Sequence, residues 1–406
     1  MWPRAQGPLW VAPHSDSQKF LEADHLQPTN ALDRGGQPPA EQRPVVVVVL
    51  GTRPELIKMA TSVHALRKLE GLETVVVFTG QHTELMEHAA AALDIVPDIR
   101  IAPLPAGRTL THFLGSVVHQ LGDLLTERRP DCVVVQGDTA SVLAGALVAE
   151  LLAIPLVHVE AGVRSGLRDD PFPEETIRRM IAPMSELHLS FSTGTRDNLV
   201  SEGIDPATIA VVPHPLKDRL DRARPPAREA GPHRILTTMH RRERRRERVE
   251  VFLELLARLR ADSAELLITF IWHPSLDRDF PDLPGRLSDL DVEVRQPVPA
   301  DDFLGLLFEA DLVVTDSAGL AEEAHLAGKP LLALRNSAEL RIDDPAAAPW
   351  CKTEAVEVAV EFVQTCLQRS GDPGPAVPAL PVTAPSGVVI ASEIEQFLRR
   401  RRRESG

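Results

Sequence analysis

The sequence is poor in cysteine, and it lacks long apolar runs. Its 406 residues include only three cysteines, Cys132, Cys351 and Cys366. They form no CxxC pair, which disfavours both a zinc site and a disulfide framework. No apolar stretch approaches the ~20 residues that a membrane-spanning helix needs. The first residues also lack the apolar segment and cleavage site of a signal peptide, so we expect a cytoplasmic protein without a membrane partner.

Basic residues are the minority among the charged ones. The chain has 44 Lys and Arg against 58 Asp and Glu, a net charge of −14. A general nucleic-acid binder would need a basic face, so we expect no nucleic-acid partner. The arginines at 399–403 are interpreted as the solvated end of the last helix, where cations favour the helix dipole. A small cationic pocket for a phosphorylated ligand remains compatible with this balance.

Several motifs of well-known chemistries are missing. The chain contains no GxGxxG and no GxxxxGK[ST], so neither a common dinucleotide pocket nor a phosphate loop is supported. GxSxG and HExxH are absent as well, which leaves no support for an esterase-type nucleophile or for zinc hydrolysis. What remains is phosphate binding by helix N-termini and basic side chains, combined with buried carboxylates.

The pattern of apolar residues predicts an α/β fold with two doubly wound, Rossmann-like domains that face a cleft. Residues 1–43 are rich in Pro, Gly and Gln and are predicted to be a disordered extension with one short helix near 18–26. Apolar runs then alternate with amphipathic helices, as is typical of parallel sheets covered on both faces. The predicted strands are 45–50, 74–78, 132–135, 155–159 and 187–191, then 235–239, 265–272, 292–294, 312–317 and 330–334. We expect the first domain to span 44–212, completed by the C-terminal helix 389–404, and the second to span 213–388.

Polar and titratable residues follow most of the predicted strands. In open parallel sheets, ligands bind outside the carboxyl ends of the strands, so these residues are candidates for a common site. Solubility alone would scatter charges over helix faces and would not collect them at strand ends. The residues concerned are Arg53, Gln81, His82, Asp138, Glu160, His240, His273, Asp316 and Ser317.

Two helix starts fit ligand binding, and each also has an ordinary structural explanation. Asp316 or Ser317 can cap the helix that follows, and the small residues after them leave its first amides open to an anion. Glu322 and Glu323 lie early in that helix and could accept hydrogen bonds from ribose hydroxyls. In the other helix, Glu174 and Arg178 are one turn apart, which a surface ion pair would also explain.

Seven stretches between about Val45 and Arg335 together resemble one family, the non-hydrolysing UDP-N-acetylglucosamine 2-epimerases. They occur in the order and with the spacing of that family. GTRPE, HVEAG and DSxGxxEE in succession are its most specific features. The stretches are GTRPELIKM, TGQHTELM, QGDTASVLAGALVA, HVEAGVRSG, PFPEETIRR, TTMHRRE and DSAGLAEEAHLAGKPLLALR.

The resemblance implies a fold similar to the glycosyltransferase-B type, with UDP held mainly by the second domain. Members of the family interconvert UDP-GlcNAc and UDP-ManNAc without a metal or a nicotinamide cofactor. Their route is anti-elimination of UDP to a 2-acetamidoglucal, followed by re-addition with inversion at C2. The resemblance further implies a homodimer.

The resemblance also assigns roles to residues of this sequence. The catalytic positions are Asp138, Glu160, Glu174 and His240. We expect Asp138 and Glu174 to exchange protons at C2, with Glu160 positioning the pair and His240 stabilising the departing UDP. The residues that match substrate and UDP contacts are Arg53, Lys58, Arg178, His273, Ser317, Gly319 and Glu323, and those that match an allosteric site are Gln81, His82 and Arg108.

The sequence departs from the family pattern at several points and leaves other functions open. His214 stands at a strand end where the family has an asparagine or glycine, and Ile177 replaces an asparagine. A hydrolysing epimerase, which releases ManNAc and UDP, is one alternative. A glycosyltransferase of the same architecture and a non-catalytic UDP-sugar-binding regulator are the others.

Overall fold

The computed structural model describes residues 43–81, 83–102, 107, 109–168, 171–223, 231–239, 245–263, 265–277, 279–335, 348–369 and 384–405. The predicted extension at 1–42, with its short helix, lies outside these ranges. Three predicted site residues, His82, Arg108 and His240, lie outside them as well.

The first domain is built on a seven-stranded parallel sheet in the order β3-β2-β1-β4-β5-β6-β7. Its interior strand β1 is apolar along its length because it is covered on both faces, and Val46–Leu50 are fully buried. The strands are β1 Val45–Leu50, β2 Glu73–Phe78, β3 Ile99–Arg100, β4 Cys132–Gln136, β5 Leu156–Val159, β6 Leu187–Ser190 and β7 Ile209–Val211. The helices between them are α1 Arg53–Arg67, α2 Thr83–Ala92, α3 Leu110–Arg128, α4 Ala140–Leu151, α5 Glu174–Ile181 and α6 Thr193–Ser201.

The second domain repeats the design with a six-stranded parallel sheet in the order β10-β9-β8-β11-β12-β13. The connection between the sheets runs from β7 into helix α7, Pro215–Ala223. The strands are β8 Arg234–Thr238, β9 Leu267–Ile271, β10 Val292–Arg295, β11 Leu312–Thr315, β12 Leu331–Ala333 and β13 Trp350–Lys352. The helices are α8 Arg245–Asp262, α9 Leu283–Asp289, α10 Ala300–Glu309, α11 Ala318–Leu326 and α12 Val356–Arg369, with α13 Ser386–Ser405 at the end of the chain.

The C-terminal helix α13 packs on the first domain. Ile390 and Ile394 are fully buried in the core cluster that also contains Val63 of α1. The two helices approach closely at Gly387, where a Cβ atom would lie 2.4 Å from the carbonyl carbon of Thr61. Neither α13 nor any other helix in the described ranges has an apolar stretch long enough to cross a membrane.

The predicted pair of parallel α/β sheets is confirmed. The strands β3, β7 and β13 escaped the sequence prediction because two or three residues at a sheet edge carry no periodic pattern. In both sheets the strand order reverses beside the first strand, at β1/β4 and at β8/β11. Ligands of open α/β sheets bind at such reversals, outside the carboxyl ends of the strands. We therefore expect the ligand site at the turns after β1, β4 and β11.

Candidate active site

The turn after β1 is packed directly against the start of α4. A Cβ atom on Gly51 would lie 1.8 Å from Ser141 Oγ and 2.7 Å from Thr79 Oγ1, so only glycine fits there. Ser141 Oγ also lies 2.7 Å from Thr79 Oγ1 and donates to Gln81 Oε1 at 2.7 Å. The predicted allosteric residue Gln81 is thus bonded to the rim of the first sheet.

Glu55 folds back onto this turn. Its Oε2 accepts the Gly51 N–H at 2.7 Å, and its Oε1 accepts the Thr52 hydroxyl at 3.0 Å. The side chain is buried, and burial raises its pKa to about 7 although these hydrogen bonds oppose the shift. Arg53 lies exposed at the first position of α1.

The turn after β4 presents Asp138. Gly137 has φ +82°, a left-handed conformation that glycine adopts without strain. Asp138 Oδ2 accepts hydrogen bonds from Arg178, from Nε at 2.7 Å and from Nη2 at 2.5 Å. His158 Nε2 donates to the Gly137 carbonyl at 2.8 Å, and burial lowers the pKa of His158 to about 3, so its ring stays neutral. Asp138 is therefore positioned by two contacts. Arg178 pairs with its carboxylate, and His158 fixes the turn that carries it.

Glu160 follows β5 in a conformation that side chains rarely adopt. Its φ of +68° lies in the left-handed region, which is costly for a residue other than glycine, asparagine or aspartate. Lys58 Nζ donates to both of its carboxylate oxygens at 2.9 Å, and Gln136 Nε2 donates to Oε2. Backbone strain of this kind clusters at functional sites, where surrounding contacts maintain it.

The charges around Glu160 oppose one another. Burial raises the pKa of Glu160, Lys58 opposes this shift, and the carboxylates of Glu322 and Asp138 add to it. Burial by itself lowers the pKa of Lys58, but Glu160 and Glu322 reverse the effect and hold it above its ordinary value. Lys58 is therefore a fixed cation between two carboxylates, whereas Glu160 is a carboxylate with increased proton affinity.

Helix α5 contacts the turn after β4 through Arg178, and its acidic start lies beside that residue. Glu174 is half-buried at the first position of the helix, and the next residue, Glu175, is fully buried. Glu175 Oε2 accepts the Ser165 N–H at 2.9 Å and lies 3.5 Å from Arg178 Nη1. Arg178 thus joins Glu175 to Asp138 and brings the start of α5 to the Asp138 turn.

In the second domain, the start of α11 faces the same region. Ser317 caps the helix by accepting the Leu320 N–H at 3.3 Å, and Gly319 beside it is exposed. Burial raises the pKa of Glu323 to about 7, with Arg219 opposing the shift. Glu322 reaches out of its own domain, since its Oε2 lies 3.0 Å from Lys58 Nζ and its Oε1 lies 2.8 Å from His214 Nε2.

Comparison with known proteins shows which family has this sequence and fold. A family model described as UDP-N-acetylglucosamine 2-epimerase matches residues 64–348. The chain belongs to this family. The UDP-N-acetylglucosamine 2-epimerase of Salmonella typhimurium is 33% identical over 312 residues, which cover 72% of this chain and 82% of that one. The Bacillus subtilis enzyme of the same name is 32% identical over 307 residues, 72% of this chain and 79% of its own.

Solved structures agree with the family in fold. The S. aureus MnaA–UDP co-structure is 25% identical with a TM-score of 0.73, covering 88% of this chain and 97% of that one. The Neisseria meningitidis UDP-GlcNAc 2-epimerase bound to UDP-GlcNAc is 26% identical with a TM-score of 0.72, covering 87% and 100%. A Rickettsia africae glycosyltransferase shares only the fold, with 13% identity and a TM-score of 0.57 over 88% and 98%. Both the predicted family and the glycosyltransferase-B-like fold are confirmed.

The predicted site residues of this 2-epimerase-family chain fall into three groups. Direct contacts join Lys58 to Glu160 and Arg178 to Asp138, and Glu174 lies on the helix that carries Arg178. Ser317, Gly319 and Glu323 lie together on the first turns of α11. Arg53, at the first position of α1, and His273, two residues after β9, are exposed. His240 and the allosteric candidates His82 and Arg108 lie outside the described residues.

Sequence reasoning did not find the bridge from Glu322 to Lys58 and His214. Glu322 was predicted only as a ribose contact, together with Glu323, and His214 was identified only as a departure from the family pattern. The two residues are 108 positions apart, so no local spacing reveals their contact. Gln136 was given no role in the predicted site, although its place at the last position of β4 is a usable signal.

Proposed function

We propose that this protein interconverts UDP-GlcNAc and UDP-ManNAc without net hydrolysis. The supporting observation is that Asp138 and Glu160, at the ends of the adjacent strands β4 and β5, are each held by a separate cation. One of these cations, Lys58, also contacts α11 of the second domain. Relatives named for this activity, and structures bound to UDP or UDP-GlcNAc, support the choice of substrate.

The proposed reaction needs two acid/base groups at one carbon. A carboxylate takes the C2 proton while the bond from C1 to the UDP oxygen breaks, which leaves a C1=C2 double bond in 2-acetamidoglucal. UDP then adds back to C1, and a second carboxyl group delivers a proton to the opposite face of C2. Water is not consumed, and the product is UDP-ManNAc. Asp138 and Glu174 fill these two roles in the proposal, and Glu160 positions them.

The departing UDP carries negative charge that must be stabilised. The exposed start of α11, with Ser317 and Gly319, offers backbone amides and the positive end of a helix dipole to the pyrophosphate. Arg53 lies exposed at the start of α1 and supplies a cation. Glu323 accepts hydrogen bonds from the ribose. By the family resemblance, His240 assists the departure of UDP.

Deuterium exchange at C2 tests this proposal. Purified protein is incubated with UDP-GlcNAc in deuterated water containing EDTA, and the sugar is followed by NMR. We expect deuterium at C2 and a mixture of both UDP-sugars, with no requirement for added metal or nicotinamide. Free ManNAc with UDP would show the hydrolysing reaction instead. Binding of UDP-GlcNAc without any exchange would indicate a non-catalytic binding protein.

The proposal includes the setting of the enzyme. We propose a cytoplasmic homodimer, on the strength of the family resemblance. Sedimentation equilibrium of the full chain measures the mass directly, and a species of 44.4 kDa, the mass of one chain, would contradict the dimer.

A further inference from the structure

Glu322 connects α11 to the first domain through one carboxylate oxygen and to the segment between the two sheets through the other. Oε2 lies 3.0 Å from Lys58 Nζ on α1, and Oε1 lies 2.8 Å from His214 Nε2 in the connection between β7 and α7. Lys58 continues the chain of contacts to Glu160. A single side chain of α11 is thereby linked through Lys58 to Glu160, one of the carboxylates of the proposed site.

His214 is built to hold Glu322 in one position. Its Nδ1 accepts the Leu216 N–H at 3.1 Å, so the proton of the neutral ring is on Nε2 and is donated to Glu322. The ring centroid lies 4.5 Å from that of Phe191, and the side chain is buried. Packing and a backbone hydrogen bond therefore fix both the tautomer and the direction of the donor.

Stability alone is a poor explanation for these contacts. Lys58 and Glu322 are largely removed from water, with side-chain exposures of 14% and 25%. Desolvation of such a pair offsets much of its attraction, so apolar residues of similar size are often as stabilising. What a charged pair provides beyond apolar packing is a defined geometry, because both partners must meet at hydrogen-bond distance.

We propose that Glu322 is a positioning residue of the reaction, tying α11 to Lys58 and His214. This inference rests on the proposed function. The bridge sets the distance between the UDP-binding start of α11 and the carboxylates Asp138 and Glu160. It also holds Lys58 against Glu160. None of the residues proposed to contact UDP, which are Ser317, Gly319, Glu323 and Arg53, belongs to the bridge, so the bridge governs the chemical step and not the binding of UDP.

The test compares Glu322→Gln with two other variants of the full chain. Glutamine keeps the size of the side chain but removes its charge from Lys58, and His214→Ala removes the other partner. Glu309→Gln is the matched control, because it removes an exposed carboxylate on α10 that pairs with Arg234. Melting temperatures establish that each variant is folded.

We expect Glu322→Gln to lower kcat for C2 exchange by about 10- to 100-fold, the scale of a misplacement near 1 Å. KM and the dissociation constant for UDP should change by less than about threefold, and Glu309→Gln should match the wild type. The double variant His214→Ala/Glu322→Gln should be no slower than Glu322→Gln, since both act through one bridge. A wild-type kcat in Glu322→Gln overturns the inference. Loss of UDP affinity in parallel with kcat overturns it as well, because Glu322 would then be a UDP contact.

A structural measurement separates this inference from the proposed function. Small-angle scattering of the ligand-free protein should show a larger radius of gyration for Glu322→Gln than for the wild type and for Glu309→Gln. If the wild type catalyses no exchange, the proposed function fails and scattering alone decides on the bridge. An unchanged radius of gyration in Glu322→Gln would then overturn it.

Discussion

The turns after β1 and β11 each join a buried strand to a helix, but protein atoms fill the first turn and leave the second open. After β1, the carboxylate of Glu55 accepts the Gly51 N–H, and Gly51 has no room for a side chain. After β11, Ser317 caps the helix and Gly319 is exposed, with the nearest atom to a Cβ being the Ser317 hydroxyl at 3.9 Å. The first turn is closed by its own residues, and the second has space for a ligand.

This difference matches the different roles that we propose for the two domains, acid/base chemistry in the first and UDP binding in the second. In the first domain, polar groups at the strand ends engage one another and keep Lys58, Asp138 and Glu160 in fixed positions. Such preorganisation is what general acid/base chemistry requires. In the second domain, the start of α11 offers backbone amides to an anion. The proposed chemistry is thus assigned to the closed side and UDP binding to the open side.

The sharpest test of this division is Asp138→Asn. The amide keeps the shape of the carboxylate but cannot take a proton, so C2 deuterium exchange should fall by about 10²- to 10⁴-fold. UDP affinity, measured by calorimetry, should change by less than about threefold because the open side is untouched. Asp123→Asn, at an exposed position of α3, serves as the control. Exchange at the wild-type rate in Asp138→Asn would refute the assigned role.

The closed turn should also leave a pH signature in stability. Because burial raises the pKa of Glu55 to about 7, the folded chain retains a proton that the unfolded chain loses near pH 4.5. The contribution of Glu55 to stability therefore decreases as the pH rises from about 4.5 to 7, by up to ~3 kcal/mol. The Glu55→Gln variant lacks this titrating group, so its urea midpoint should rise relative to that of the wild type between pH 5 and pH 8. Glu127→Gln, at an exposed site on α3, should show no such gain, and a parallel pH course for Glu55→Gln and the wild type would contradict the prediction.

Alanine at the two glycines compares the turns directly. Gly51→Ala forces a methyl group into the Ser141 hydroxyl, so urea unfolding should report a loss of about 1–3 kcal/mol or more. Gly319→Ala meets only the Ser317 hydroxyl at an ordinary contact distance of 3.9 Å and should change the free energy of unfolding by less than about 0.5 kcal/mol. UDP affinity should nevertheless fall in Gly319→Ala, since the methyl group lies where the anion approaches. Equal losses of stability in both variants would show that the turns do not differ as described.

The smallest expected effect concerns the cap of α11. Ser317→Ala removes the acceptor of the Leu320 N–H and should cost about 1 kcal/mol of stability. It should also weaken UDP binding, because the hydroxyl lies at the proposed anion site. Thr109→Ala removes the corresponding cap of α3, which accepts the His112 N–H at 3.4 Å, and should cost similar stability without affecting UDP. Equal UDP affinities in the two variants would argue against a ligand at α11.

Much of the fold could be predicted from sequence because buried parallel strands are continuous apolar runs. Val45–Leu50 is such a run, and the polar residues that follow it in the sequence therefore lie at a strand end. Short edge strands such as Ile209–Val211 carry too few residues for a pattern. The contact of Arg178 with Asp138, 40 positions away, was also beyond reach, since helical spacing reveals only partners on the same helix.

The sequence by itself determined the two parallel sheets and the family, because strand periodicity and motif order are local properties of the chain. It also placed Asp138 and Glu160 directly after strands. Only the tertiary structure decided that Glu55 closes the first turn and that Glu322 reaches Lys58 and His214. The physical reason is that a long-range ion pair forms only where docking of distant elements brings both charges together and excludes water. Burial and distance, which no stretch of sequence contains, determine which partner a side chain takes.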